Sequence, residues 1–232
     1  MRNLNYAELN ERFEAEGAET AIRWAVDTFG RDLIVASSFE DAVLIDLAVA
    51  ADPGVEVLFL DTQYHFAETL WFVEEVRRRY KLNLHVEHPD TEADNRWQWD
   101  VEGCCNLRKV IPLNRGLSGK SAWITGLRRV DAPTRANAPI VSWDESRSMV
   151  KLNPLAAWSD EQLDEHVRRN DLPMNPVTAR GIPSVGCWPC TRPVAPGEDR
   201  RAGRWAGSGK VECGLHVNPS LAPATATAEV PA

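Results

Sequence analysis

The chain lacks an apolar segment long enough to cross a membrane and lacks the excess positive charge typical of nucleic-acid-binding proteins. Its longest apolar stretch, AVLIDLAVAA, is too short to span a bilayer and contains Asp46. Lysine and arginine number 26 against 34 aspartate and glutamate residues, which gives a net charge of -8. A field of that sign opposes nonspecific binding to nucleic acid. We therefore expect neither a membrane nor a nucleic acid as a partner.

Signals for secretion and for two common nucleotide-binding loops are also missing. The opening residues, MRNLNYAELNERFEAEG, are polar and lack the apolar core of a signal peptide. Five cysteines, an odd number, fit a reducing compartment better than a disulfide framework, so the sequence predicts a cytoplasmic protein. There is no G-x-G-x-x-G and no G-x-x-x-x-G-K-[ST], which argues against an NAD-dependent enzyme and a P-loop NTPase.

Buried strands alternate with helices along most of the chain. The apolar runs that predict strands are DLIVAS (32–37), VEVLFL (55–60), LNLHVEH (82–88) and SAWITGL (121–127). Helices are predicted over 6–29 with a break at Gly17, over 42–51, 66–80 and 159–170, and for CCNLRKVIPL. Residues 139–152 alternate in polarity and predict a hairpin. The pattern predicts an α/β protein with a single doubly wound parallel sheet and flanking helices.

The chain after Asp171 loses its periodicity and is rich in proline and glycine. We predict an α/β domain over 1–192, a mobile, irregular C-terminal arm over 193–216 and a disordered tail over 217–232.

Polar groups follow three of the predicted strands. They are Ser37-Ser38, Asp61-Thr62 and Thr125-Gly126, the last followed by two arginines. In a doubly wound sheet, ligands bind beyond the carboxyl ends of the strands. The helix after Ser37-Ser38 points its N-terminal amides to the same edge, which suits a nucleotide phosphate. Each of these groups, taken alone, is equally compatible with a simple helix cap.

Four cysteines form two pairs, Cys104-Cys105 and Cys187-x-x-Cys190. Four thiolates can hold an iron–sulfur cluster or a zinc ion. Adjacent cysteines on a helix converge poorly on one ion, because successive side chains point about 100° apart. The spacing therefore favours a multi-iron cluster and leaves structural zinc as the alternative.

The fifth cysteine, Cys213, lies in the polar segment ECGLH near Lys210 and His216. A nearby cation lowers a thiol pKa and raises the thiolate fraction, so a reactive nucleophile is favoured over a buried structural cysteine. Arginines also gather in the loops around the cysteines, and guanidinium groups bind phosphate or sulfate oxygens in pairs. Solvated surface is the alternative for any one of them. They are Arg128, Arg129, Arg135, Arg192, Arg200, Arg201 and Arg204.

Together these segments resemble the assimilatory adenylyl-sulfate (APS) reductase branch of the phosphoadenylyl-sulfate (PAPS) reductase family. The matching segments, in family order, are SSFEDAVLIDLA, FLDT, CCNLRKVIPL, WITGLRR, PTR, GIPSVGCWPCTRPV, GRW and ECGLH. The resemblance implies an adenine nucleotide alpha-hydrolase-like fold. It also implies that APS is reduced to sulfite and AMP by thioredoxin, or a similar dithiol, in sulfate assimilation and cysteine biosynthesis.

The resemblance further implies roles for individual residues. It places one 4Fe-4S cluster on Cys104, Cys105, Cys187 and Cys190. It makes Cys213 the nucleophile that forms an S-sulfocysteine intermediate, with Lys109 and His216 as further catalytic residues. The implied substrate-binding residues are Ser38, Leu60, Gly126, Arg135, Arg201 and Arg204. Two departures stand out: the loop SSFED lacks the glycine common there, and Gln63 replaces the glycine usual after Leu-Asp-Thr.

Other functions remain open at this point. One is PAPS reduction, and another is an adenylating, sulfur-transferring enzyme of the related pyrophosphatase fold, which would consume ATP. A cluster-based redox sensor would need a DNA-binding element, and the sequence contains no basic helix-turn-helix pattern. A homo-oligomer is compatible with the sequence.

Overall fold

The computed structural model describes residues 4–207, 210, 212 and 214–216, so Cys213 and the predicted tail 217–232 lie outside the described residues. The helices are α1 (Tyr6–Glu16), α2 (Ala18–Phe29), α3 (Val43–Ala51), α4 (Ala67–Tyr80), α5 (Val101–Cys105), α6 (Ile111–Gly116) and α7 (Asp160–Arg169). The strands are β1 (Leu33–Ala36), β2 (Glu56–Leu60), β3 (Asn83–Glu87), β4 (Ala122–Thr125), β5 (Val141–Asp144) and β6 (Met149–Leu152). Every predicted strand contains an observed one. Within the described chain, no helix has the length and apolar character needed to span a membrane.

All six strands form one sheet in the order β3-β2-β1-β4-β6-β5. The first five strands in that order pair in parallel, and β5 runs antiparallel to β6. The doubly wound sheet is thereby confirmed, with one addition. The predicted hairpin extends the sheet, because β6 pairs with β4 from Ala122↔Val150 to Ile124↔Leu152. The sheet is therefore mixed at this edge.

Alternation along β1 explains the two-sided core. Leu33 and Val35 belong to the larger apolar cluster, which includes residues of α2 and α3. Ile34, between them, packs with Leu58 and Trp123 in a smaller cluster on the other face. Successive strand residues point to opposite faces, so a strand covered on both faces is a continuous apolar run.

The strand order creates a crevice beside β1. The chain moves from β1 to β2 and β3 on one side and then places β4 on the other side of β1. Ligand sites in open α/β sheets lie at such a reversal, beyond the carboxyl ends of the strands. The described part of the predicted arm returns toward the domain, where Trp205 is buried.

Asn175 ties the segment after α7 to the loop after β1. Its Nδ2 donates to the Phe39 carbonyl at 2.9 Å and to Thr69 Oγ1 at 3.1 Å. Its Oδ1 accepts from the Val177 amide at 3.1 Å. Asn175 is fully buried, so water cannot replace these partners.

We therefore expect Asn175→Ala to lower the free energy of unfolding by about 2 kcal/mol or more, since buried polar groups lose their partners. Chemical denaturation is the measurement. Asn83→Ala, at an exposed position of the edge strand β3, is the control and should change stability by less than about 0.5 kcal/mol. Equal losses in the two variants would contradict the role given to Asn175.

Candidate functional site

A cavity of about 210 Å³ lies at the reversal of strand order. Ser37 and Ser38 after β1, Leu60 at the end of β2, and Thr125 and Gly126 at the end of β4 line it. The predicted strand-end residues thus meet at one edge of the sheet.

Each of the two loops that depart from the family pattern contains a residue with positive φ, a backbone conformation that glycine adopts easily. Phe39 in the loop SSFED has φ 52°, and Gln63 has φ 67°. Phe39 is fully buried and contacts Phe59 edge-on, with ring centroids 5.3 Å apart. Gln63 Oε1 accepts a hydrogen bond from Arg108 at 2.5 Å. These contacts hold a conformation that side chains with a Cβ disfavour.

Several basic residues line the cavity, among them Lys109, Arg135, Arg201 and Arg204. Burial, followed by the charges of Arg204 and Arg135, lowers the pKa of Arg201. Arg204 Nη1 donates to Ser184 Oγ at 3.1 Å, whereas its buried Nε has no hydrogen-bond partner among the described residues. The arrangement concentrates positive charge where an anion could bind.

The other predicted arginines have different surroundings. Arg128 bonds to Asp160 at 2.8 Å and also to Asp131, and Arg200 shares the same Asp160 at 2.8 Å. Arg128 and Arg200 also line the cavity, and like Arg135 each has a carboxylate partner. Arg192, by contrast, is exposed and pairs with Glu198, and Arg129 pairs with Glu14; neither lines the cavity.

Glu212, the residue before Cys213 in the sequence, contacts this basic cluster. Its carboxylate accepts from Arg135 at 2.6 and 2.8 Å. Burial raises the pKa of Glu212, but these bonds and the nearby Arg201 and Arg204 outweigh it and leave the pKa below its usual value. Glu212 is therefore an anion among the cations. Cys213 itself lies outside the described residues, whereas His216 lines the cavity.

Two carboxylates that sequence reasoning did not select, Glu40 and Asp41, also line the cavity. Burial raises the pKa of each above its usual value. Glu40 accepts from the Val185 amide at 2.9 Å and from Ser184 Oγ at 3.3 Å. It thus connects the loop after β1 to the segment that leads into the second cysteine pair.

The four paired cysteines lie around a second, smaller cavity. Cys104 and Cys105 are the last residues of α5, and a π-helical turn, Asn106–Val110, connects α5 to α6. Cys187 and Cys190 bracket a short 3-10 turn. The structure therefore brings the two pairs together, although they are far apart in sequence.

The thiols affect one another electrostatically. Burial, followed by the charges of Cys105 and Cys187, raises the pKa of Cys104 to about 11. Burial and its cysteine neighbours likewise raise the pKa of Cys190. Four thiolates at this place would need a cationic centre between them. In the part of the chain that is described, no three His, Cys, Asp or Glu side chains are placed to hold a metal ion. The four paired thiols instead line the smaller cavity.

Arg108 is a buried residue of this region that sequence reasoning missed. It is 2% exposed, its guanidinium lies 4.6 Å from the Tyr64 ring centroid, and it donates to the Glu92 carbonyl at 2.6 Å. In the sequence, its position directly before Lys109 and close to the cysteine pair could have indicated that Arg108 belongs to the site.

Residues 32–193 match the phosphoadenosine phosphosulfate reductase domain family. The chain belongs to this family. It is 49% identical over 223 residues to the adenosine 5'-phosphosulfate reductase of Mycolicibacterium smegmatis, covering 91% of this chain and 94% of that protein. It is 45% identical over 223 residues to the protein of the same name from Rhodococcus erythropolis, covering 88% of this chain and 90% of that protein.

Solved structures agree with the family and the fold. The phosphoadenylyl-sulfate reductase of Candida auris, in a phosphate complex, aligns with a TM-score of 0.73 and 26% identity over 83% of this chain and 98% of that chain. The FMN adenylyltransferase of Candida glabrata aligns with a TM-score of 0.57 and 14% identity over 83% of this chain and 68% of that chain, a likeness of fold alone. The predicted adenine nucleotide alpha-hydrolase-like fold is confirmed.

The basic cluster gives a prediction that needs no knowledge of the reaction. Arg201→Ala and Arg204→Ala should each weaken binding of inorganic pyrophosphate about tenfold or more, because charge-assisted hydrogen bonds contribute roughly 1.5–3 kcal/mol. Calorimetric titration is the measurement, and Arg192→Ala, which alters an exposed pair outside the cavity, should leave the affinity unchanged. If the affinity for pyrophosphate is unchanged in both cavity variants, these arginines do not bind the anion and have a structural role.

Proposed function

We propose that this protein reduces adenosine 5'-phosphosulfate to sulfite and AMP, with thioredoxin as the electron donor, in sulfate assimilation. The observation that carries the proposal is the contact between the two cavities. Lys109, Cys187 and Arg204 line both the cavity at the strand ends and the one bordered by the four paired thiols. The relatives named adenosine 5'-phosphosulfate reductase support the choice of substrate.

The substrate fits the groups at the strand ends. Ser38, Leu60 and Gly126 would contact the nucleotide, and the basic cluster would contact its phosphosulfate. The sulfur of that group is electrophilic because its bridging oxygen can leave with AMP. Negative charge then builds on the leaving phosphate, and preorganised cations stabilise such charge most effectively in a site shielded from water. Lys109, Arg135, Arg201 and Arg204 are among the cations that line the cavity.

Cys213 is the proposed nucleophile. Its thiolate attacks the sulfur of the substrate, the bond from sulfur to the bridging oxygen breaks, and AMP leaves, which produces S-sulfocysteine. A thiolate of thioredoxin then attacks Sγ of Cys213 and expels sulfite. The mixed disulfide that remains is resolved by the second thiol of thioredoxin. An external dithiol is needed because the other four cysteines are assigned to the metal centre.

The proposal includes one 4Fe-4S cluster held by Cys104, Cys105, Cys187 and Cys190. Four thiols around a space suit a multi-iron group better than a single zinc ion, whose four sulfur ligands would lie about 2.3 Å from one point. When bound, such a cluster supplies fixed charge and redox-capable iron beside the substrate. Lys109 and Arg204 line both cavities. Their positive charges would therefore lie close to the cluster and close to the phosphosulfate.

A second candidate is reduction of PAPS, which carries a further phosphate on the ribose. The fold similarity to the Candida auris phosphoadenylyl-sulfate reductase favours it. An adenylating enzyme of the related fold is less well supported, because that likeness is one of fold alone. ATP consumption would identify the adenylating enzyme, and a direct comparison of APS with PAPS separates the two reductases.

The cluster gives the first prediction for this function. Anaerobically purified protein should contain four irons and four inorganic sulfides per chain, and Cys105→Ser should lose most of both because one of four ligands is removed. Metal and sulfide analysis is the measurement. Cys213→Ser is the matched control and should keep the full content. Stoichiometric zinc without sulfide would refute the cluster.

The reaction gives the second prediction. With reduced thioredoxin, wild-type protein should release sulfite from APS far faster than from PAPS, and Cys213→Ser should release none because the nucleophile is missing. Without thioredoxin, intact-mass measurement should find one added sulfonate on the wild type and none on Cys213→Ser.

Adding reduced thioredoxin to the modified protein should remove the sulfonate and yield an equal amount of sulfite. Cys190→Ser is unsuitable as a control because the cluster could be lost. Sulfite release by Cys213→Ser at the wild-type rate would overturn the mechanism, while equal rates with both substrates would overturn the selectivity alone.

A further inference from the structure

Lys151 is a buried lysine that neither the motifs nor the proposed mechanism uses. It lies on β6, directly opposite Trp123 of β4 in the sheet, and is 8% exposed. Its ammonium nitrogen is 5.1 Å from the centroid of the Trp123 ring and 3.4 Å from Nδ1 of His216. The imidazole of His216 stacks on Trp123 with an angle of 12° between the rings. Trp123 and His216 line the strand-end cavity, whereas Lys151 does not.

The chemistry of the Lys151 and His216 side chains determines which of them donates the hydrogen bond and which accepts it. A lysine ammonium has three donors and no acceptor, so the nitrogen of His216 that faces it must offer a lone pair. That nitrogen is Nδ1. In the neutral imidazole the single proton is then on Nε2, which becomes a hydrogen-bond donor.

The groups around His216 are mostly cationic. Lys151 and Arg147 come from the hairpin, Arg135 from the segment after β4, and Arg201 from the arm. Two carboxylates near Lys151, those of Asp144 and Glu212, offset part of this charge. Asp144 is occupied by Arg147 at 2.9 Å and by Ser146 at 2.6 Å, and Glu212 is occupied by Arg135. Burial, followed by the charge of Lys151, lowers the pKa of His216 well below its usual value.

We propose that Lys151 is a positioning residue that holds His216 as a neutral imidazole with its proton on Nε2. The ring then offers the cavity a hydrogen-bond donor of fixed orientation and does not add another titrating cation. In the proposed function, the oxygen that accepts this hydrogen bond belongs to the phosphosulfate. The identification of that acceptor therefore rests on the proposed function. The contact between Lys151 and His216 does not depend on that identification.

Nitrogen-15 NMR of histidine-labelled protein without substrate tests the proposal. The chain has five histidines, and His216→Asn identifies the signals of this one. In the wild type we expect the shifts of the Nε2-protonated neutral ring at neutral pH, with titration only well below the usual histidine pKa. In Lys151→Met the like charge is gone, so the His216 pKa should rise toward its usual value, while the lowering caused by burial remains. Lys151→Arg keeps a cation and should largely restore the wild-type pKa.

Lys120→Met is the matched control, since Lys120 is a partly buried lysine just before β4 that pairs with Glu56 and does not line the cavity. It should leave the His216 signals unchanged. The acidic limb of the pH profile of kcat/KM with APS should move to higher pH only in Lys151→Met.

Either an Nδ1-protonated or charged ring in the wild type, or an unchanged His216 pKa in Lys151→Met, would overturn the proposal. If the NMR results are as expected but the wild type releases no sulfite from APS, the proposed function fails and the positioning of His216 stands.

Discussion

The concentration of buried positive charge at one edge of the sheet is the constraint on which the rest of the structure depends. Lys109, Arg135 and the pair Arg201 and Arg204 come from three separate segments of an acidic chain and line one cavity. Like charges in a partly buried site repel, so each must be offset by a neighbour or by a bound anion. Glu212 offsets part of the positive charge by pairing with Arg135. Glu212 directly precedes the proposed nucleophile in sequence, and the substrate would neutralise more of the same charge.

The same edge also holds strained backbone. Phe39 and Gln63 have positive φ although both carry a Cβ. Their side chains are held by contacts outside the loops, with Phe59 for one and Arg108 for the other. Arg108 adjoins Lys109, so the loop after β2 is connected to the helical segment that carries a cysteine pair. Strained conformations persist only where surrounding contacts fix them, and they are common at functional sites.

Local patterns were sufficient to predict most of the fold, but they found only part of the site. The run around Ile34 and Val35 predicts a central strand because both faces are covered, and Ser38 and Gly126 follow from the rule about strand ends. The pairing of β6 with β4 could not be predicted, because no local signal states which strand a hairpin will join. Lys151 was missed for the same reason, since its proposed role depends on His216, which stacks on Trp123 across the sheet.

The burial of Lys151 is hard to explain by stability alone. Burial lowers the pKa of Lys151 to about 8, whereas an unfolded lysine titrates near pH 10.4. Between those two values the unfolded chain binds more protons, so this residue makes folding more favourable as pH rises through that window. At neutral pH it is charged in both states, and the unfavourable effect of burial is fully present. A strongly shifted lysine beside a cavity is typical of a functional site, where its charge acts on a neighbouring group. His216 is the titratable neighbour that Lys151 contacts among the described residues.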